Sequence, residues 1–231
     1  MQTTDRGLLA LVRHEGIVPG PYLDVKNVWT FGIGHTAAAG PPDPACMPRG
    51  MPTDLDAGIR EAFRIFRTDL AAYEAEVLRA VKVPLAAHEF DALVSFHYNT
   101  GGIGSAALTR HLNAGNRVAA ADAFLNWRRP AAIIPRREAE RDLFARGRYP
   151  TGTIPVWAVD RTGRVDFSHP VRRLTEAEAL ALLRPLSHPL PPAPEDGALS
   201  PPAATAPGTP PFPRLLRHIL DFLKSLIGAR R

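Results

Sequence analysis

In the opening stretch TTDRGLLALVRHEG, the apolar residues Leu8, Leu11 and Val12 fall on one face of a helix. Thr4 or Asp5 can serve as N-cap and Gly16 as stop. The next stretch, PYLDVKNVWTFGIGH, changes period: strand-like runs over 22–25 and 28–33, with Lys26-Asn27 between them, predict a hairpin. TAAAGPPDPACMPRGMP reads as a loop from its Gly and Pro content. From Thr53 the helical period returns and persists through Ile59, Phe63, Phe66, Leu70, Tyr73, Val77 and Val81. Thr53-Asp54-Leu55-Asp56 resembles a capping box at its start, and Pro84 ends it. Shorter helices are predicted over 86–98, 105–113, 117–127 and 135–146, punctuated by Gly101-Gly102, Gly115 and Gly147.

Beyond residue 150 the pattern becomes local again. IPVWAVDRTGRVDFS predicts a second small hairpin turning at 161–163, and LTEAEALALLRPL a short helix with a capping box from Thr175 to Glu178. Residues 185–213 form a Pro/Ala-rich linker, extended and without a packed core, and therefore disordered. In RLLRHILDFLKSLIGARR, Leu215, Leu216, Ile219, Leu220, Leu223, Leu226 and Ile227 share one face. Arg214, Arg217, Lys224, Arg230 and Arg231 lie mostly off it. That is a basic amphipathic helix, able to lie in an anionic membrane or lipopolysaccharide interface, or to dock on its own protein or self-associate. The chain thus divides into 1–150, a hairpin-helix extension at 151–184, the linker 185–213 and the terminal helix 214–231. No internal repeat is present.

Charge and cysteine content narrow the chemistry. A net charge of +5 and a pI near 9.9 point to anionic partners, nucleic acid, phosphate-bearing cell-surface polymer or acidic lipid, or equally to a solubilising surface charge. Cys46 is the only cysteine, which leaves no intrachain disulfide and no Cys-based metal site. The apolar run from Leu8 to Val12 is too short for a secretory signal, and no stretch approaches the roughly 18 apolar residues of a spanning helix. The expectation is synthesis as a soluble cytoplasmic chain, with any work outside the cell needing another export route.

The candidate chemistry lies between the first helix and the hairpin. Cleaving a glycosidic bond needs a proton delivered to a poor leaving oxygen, and either an activated water or stabilisation of the oxocarbenium-like centre. Glu15 closes the first helix, where unpaired carbonyls disfavour a carboxylate and nudge its pKa upward, as a general acid requires; a nearby Arg would oppose this. Asp24 and Thr30, on the two hairpin strands, can face one cleft and hold a water opposite Glu15. Taken singly, each acid reads more often as a helix-end or turn residue, and it is the combined pattern that favours the catalytic reading.

Glu15, Asp24 and Thr30 with TFGIGH resemble the catalytic signature of the phage-type lysozymes, the glycoside hydrolase family 24 endolysins. HEG and GIGHT flank the signature. ALVSFHYNTGGIGSAAL, LNAGNRVAAADAFLNW and PRREAERDLFARG resemble the family's helical lobe in order and spacing. The resemblance covers about 3–150. It implies an α+β, lysozyme-like fold in which a small β-hairpin lobe is joined by a long helix to a helical lobe. It further implies peptidoglycan as substrate, cut between N-acetylmuramic acid and N-acetylglucosamine, for host cell lysis. Glu15 would be the proton donor, Asp24 and Thr30 would place water for an inverting hydrolysis, and no metal, organic cofactor or nucleic-acid partner is expected.

Around this trio the resemblance and the residue types suggest supporting roles. His35 either backs the Asp24–Thr30 geometry or is a satisfied buried histidine. Asn99 either meets a sugar or ends a helix. By analogy with the family, Arg137 pairs with Glu15, while Arg136, Glu138 and Arg141 form a solvated charge face. Trp127, Trp29 and Phe31 read as packing; His97 and Tyr98 carry no signal. The Pro-rich loop 37–52, the extension 151–184 and the tail depart from the best-known phage member. Two rival readings remain: a lytic transglycosylase, and a membrane-permeabilising protein acting through its C-terminal helix.

Overall fold

The structure, a computed structural model, describes residues 1–184; the linker and the amphipathic helix expected over 185–231 lie outside the described residues. The first helix, α1 (Asp5–Glu15), starts where Thr4 Oγ1 accepts a hydrogen bond from Gly7 N at 3.0 Å. Leu8, Leu9, Leu11 and Val12 are buried. It stops at Gly16, whose φ of 73° turns the chain directly into a strand.

Three antiparallel strands follow, β1 (Val18–Leu23), β2 (Trp29–Gly32) and β3 (His35–Thr36), in the order β1-β2-β3. Tyr22 faces Thr30 and Leu23 faces Trp29, with an irregularity between Val18 and Tyr22 where Pro19 and Pro21 have no N–H to pair. The two-residue turn expected at Lys26-Asn27 is longer. Asp24 Oδ1 accepts from Lys26 N at 2.8 Å and Val28 N at 2.9 Å, which ends the strand at Leu23, and Asn27 takes a left-handed φ of 58°. His35 does not end the second strand but opens a separate third one.

The long helix α2 (Leu55–Ala80) has 26 residues and so runs roughly 39 Å. Its cap is Asp54, one residue later than expected: Asp54 Oδ1 accepts from Ala57 N at 3.0 Å. Asn113 closes the other end, donating to Ala80 O and accepting from Lys82 N. The buried stripe Ile59, Phe63, Phe66, Leu70 and Val77 faces both lobes.

In the helical lobe, α3 (Ala87–Thr100) is central and buried on nearly all sides. Around it lie α4 (Ala107–Asn113), α5 (Arg117–Ala123) and α6 (Ile134–Arg146). The helix expected over 117–127 is shorter, giving way to a 3-10 turn at Phe124–Asn126 that seats Phe124 and Trp127 against Phe96. Trp127 is therefore packing, as expected.

After α6 come β4 (Ile154–Val156), β5 (Ala158–Val159), β6 (Val165–Asp166), β7 (Arg172–Leu174) and α7 (Glu176–Leu183). The expected hairpin is the β5–β6 pair, turned by Asp160 Oδ1, which accepts from Thr162 N and Arg164 N. The capping box of α7 forms between Thr175 and Glu178. An unexpected pair, β4 with β7, buries Ile154, Val156 and Leu174 in the same apolar cluster as α1 and α2. No helix of the described residues is long and apolar enough to cross a membrane.

Candidate active site

Glu15 is the last residue of α1, and its side chain is only 3% exposed. Arg136 Nη1 donates to Glu15 Oε1 at 2.7 Å. Arg136 also donates through Nε to Glu140 Oε1 at 3.0 Å and through Nη2 to Ser95 O at 3.4 Å. Arg137 Nη2 donates to the same Glu140 oxygen at 2.9 Å, and so does Ser95 Oγ at 2.8 Å. Two carboxylates and two guanidiniums thus balance in one buried network, the arrangement that buried charge requires. Arg137 Nε and Nη1 and Glu140 Oε2 are buried without a hydrogen-bond partner among the described residues.

This corrects two expectations. The arginine that pairs with Glu15 is Arg136, not Arg137, and Arg136 is buried rather than part of a solvated face. Successive helical residues point about 100° apart, so only one of the adjacent pair can reach across to α1. Arg137 instead lies over the Phe96 ring and donates from Nη2 to Asn99 Oδ1 at 3.0 Å. Glu138 is exposed, and Arg141 is half-exposed and paired with Asp142. Asn99 is not the helix cap, a place taken by Gly101; its half-buried side chain orients Arg137. Two arginines in the first turn of α6 oppose the helix dipole, and that unfavourable placement was the sequence signal for a partner elsewhere.

The pKa of Glu15 is raised. Burial is the leading cause, and it outweighs the opposing charge and hydrogen bond of Arg136. The direction expected from the sequence therefore holds, with burial as its main cause. His14, next to it, is pulled down to about 3, first by burial and then by Arg136, Arg137 and Arg13, and stays neutral.

Asp24 and Thr30 belong to one face of the hairpin. Tyr22 and Asp24 are two residues apart on β1 and its end, and Thr30 sits opposite Tyr22. One residue ties the pair: Val28 N–H donates to Asp24 Oδ1, and Val28 C=O accepts from Thr30 Oγ1 at 3.1 Å. Asp24 Oδ2 has no protein partner among the described residues. Tyr22 registers both acids, because burial and then the negative charges of Glu15 and Asp24 hold its phenol above the usual range. Tyr98, also under the field of Glu15, donates to Ile33 O at 2.9 Å and so ties α3 to the turn after β2. Tyr22 and Tyr98 carried no sequence signal, since their roles arise from tertiary proximity.

His35 is buried, with Nδ1 2.9 Å from Asp69 Oδ2 and Nε2 2.8 Å from Pro42 O. Both partners accept, so both nitrogens donate and the imidazolium is favoured. Burial alone would lower the pKa, but Asp69 and the Pro42 carbonyl outweigh it, and the net shift is upward. A raised folded pKa gives stability that is complete below the unfolded value of 6.5 and lost as pH rises through the folded one. Thermal melts of wild type and His35→Gln are therefore expected to differ most in acid and to converge in alkali. Among the described residues no group of three or more His, Cys, Asp or Glu side chains gathers as a metal ion would need.

The phage lysozyme family model matches residues 12–140. The chain belongs to the phage lysozyme family. It is 35% identical over 150 residues to the endolysin of Salmonella phage P22, an alignment covering 62% of this chain and 98% of that protein. Among solved structures it resembles the endolysin of Escherichia coli O157:H7 phage FAHEc1, with a TM-score of 0.56 and 28% identity over 65% of this chain and 98% of the other. The muramidase domain of SpmX from Asticaccaulis excentricus is also similar, with a TM-score of 0.50 and 25% identity over 62% of this chain and 97% of that one. The mixed helix-and-strand, lysozyme-like fold expected for the family is the fold observed.

Proposed function

We propose that this phage lysozyme is a peptidoglycan hydrolase, a muramidase that cuts between N-acetylmuramic acid and N-acetylglucosamine and serves host cell lysis. The carrying observation is a buried Glu15 with a raised pKa, beside a hairpin on which Asp24 and Thr30 both bond the backbone of Val28. Protonated Glu15 delivers its proton to the leaving glycosidic oxygen. Asp24 Oδ2 and Thr30 hold a water on the other side of the sugar, which gives inversion. Arg136 keeps Glu15 in place while burial keeps its pKa raised, and Arg137 and Asn99 stiffen the wall behind it. The relatives named endolysin and muramidase domain support this substrate and bond.

Product chemistry tests the reaction. Mass spectrometry of digested peptidoglycan is expected to find hydrated reducing ends, and NMR of the fresh digest to find the anomer opposite to the cleaved bond formed first. Anhydro-muropeptides as the main product would instead establish a transglycosylase. Asp24→Asn supplies a finer check, because its amide oxygen can still accept from Lys26 N and Val28 N. Turnover should fall at least roughly tenfold with little change in melting temperature.

The enzyme acts on the wall after release from the cytoplasm, and residues 214–231 engage anionic membrane or lipopolysaccharide. A chain ending at residue 184 should keep its turnover on purified wall and lose potency on intact Gram-negative cells. Equal potency there would remove the membrane role, and killing by an inactive Glu15 variant would make permeabilisation the main activity.

A further inference from the structure

We propose that residues 154–166 act as a backbone splint on β1, setting the separation of Glu15 and Asp24, with Trp157 and Gly163 as positioning residues. This rests on the reading of those two acids as the working pair. The strand between them has one edge paired to β2. Its other edge would lie open, and an open edge is free to twist or to pair elsewhere. Ile17 N donates to Pro155 O at 3.0 Å, and Trp157 N donates back to Ile17 O at 2.8 Å. At the far end, Leu23 N donates to Gly163 O at 2.8 Å. Between these grips stand Pro19 and Pro21, which have no N–H to give. The splint therefore holds the chain at Ile17, two residues after Glu15 at the entry to β1, and at Leu23, one residue before Asp24.

Side chains seat both grips. A Cβ at Gly16 would lie 2.7 Å from Trp157 Nε1, so the indole rests directly on the backbone that follows the acid. Gly163 has φ +87°, and a Cβ there would come within 2.7 Å of the Trp29 ring and 3.3 Å of Leu23 Cγ. The Arg49 guanidinium also stacks on Trp29, 3.4 Å from the ring centroid. Between the grips Val159 packs with Val18 and with Tyr22, the phenol that feels both carboxylates.

The splint has a firm base. Arg13 of α1 binds Glu176, and Arg172 binds Asp56 of α2. Arg60 donates to the carbonyls of Ala181 and Leu182 at the end of α7. The family match ends at residue 140, and 62% of this chain already covers 98% of the phage P22 endolysin. The splint is thus an addition to the family's core. Two groups acting on opposite sides of one sugar depend on their separation, and a misplacement of about 1 Å can cost roughly a hundredfold in rate.

Gly163→Ala, Trp157→Ala and Trp157→Phe in the full chain test the proposal, with kcat and KM measured on purified peptidoglycan below each variant's melting transition. The two alanine variants should lose roughly tenfold or more in kcat with KM within about twofold, and Trp157→Phe should recover most of the loss. Amide exchange should be slow at Ile17 and Leu23 in the wild type and faster in the alanine variants. Near-wild-type kcat in the folded alanine variants, or unprotected Ile17 and Leu23 amides in the wild type, would overturn the splint. If Gly163→Ala does not fold, Trp157→Ala and wild-type exchange still decide. Glu15→Gln run alongside separates the two ideas: if it stays active the site reading fails, whereas an inactive Glu15→Gln beside unimpaired splint variants refutes the splint alone.

Discussion

Glu15→Gln is expected to remove nearly all turnover of purified peptidoglycan while leaving the protein at least as stable as the wild type. Gln keeps the shape of the side chain and can still accept from Arg136 Nη1, but it has no proton to give. General acid catalysis contributes roughly a hundredfold to ten-thousandfold, so a fall of at least about a hundredfold in kcat should be read in a turbidity assay. The stability side follows from linkage. Burial, acting against Arg136, raises the folded pKa of Glu15 above its ordinary 4.5, so the folded chain holds this proton more tightly than the unfolded chain does. Wild type therefore loses stability as pH rises from 4.5 through the folded value, and the variant does not. The melting temperature of the variant relative to wild type should climb across that interval. Turnover near the wild-type level would rule out Glu15 as the proton donor.

Arg136→Ala should produce the largest loss of stability of any single change at the site. It strips Glu15 of its hydrogen-bonded partner and removes one of the two guanidiniums on Glu140, all three groups being almost fully buried. Breaking a buried pair from one side costs roughly 3–5 kcal/mol, because the remaining charge is left without a partner. For a chain of this size that corresponds to a drop of roughly 6–20 °C in melting temperature. In the fraction that stays folded, burial then acts on Glu15 with less opposition. Its pKa moves further up, and the alkaline limb of the pH–rate profile should shift to higher pH. Arg136→Lys should fall between, since one ammonium cannot span Glu15, Glu140 and the Ser95 carbonyl together. A melting temperature within about 1 °C of wild type for Arg136→Ala would show that the network does not hold the site.

Both predictions turn on an arginine that reads in the sequence as surface charge. PRREAER contains three arginines within six residues, and nothing local distinguishes the one that is buried. Its partner is 121 positions away, and the choice depends on how α6 is rotated against α1 and α3. His35 is a milder case: the family resemblance marked it as a candidate support, but Asp69, 34 residues on, became its partner only through the approach of α2 to the sheet. The Asp24 turn was misjudged for another reason. A two-residue hairpin is the commonest, and it is the Asp24 carboxylate folding back on Lys26 and Val28 that lengthens this one.

What the chain determined by itself is whatever follows from local period and local hydrogen bonding. α1 and its glycine stop, the long α2, the hairpin that carries Asp24 and Thr30, and the Thr175–Glu178 box each depend on residues a few positions apart. The ordered trio Glu15, Asp24 and Thr30 stood out through its resemblance to the phage-type lysozyme signature, and its members lie on one helix and one hairpin. The tertiary structure alone decided which arginine neutralises Glu15, how far burial outweighs that charge, and that residues 154–166 lie along the open edge of β1. Those outcomes depend on the orientation of packed elements and on the exclusion of water between them, and neither quantity has a signature in neighbouring residues.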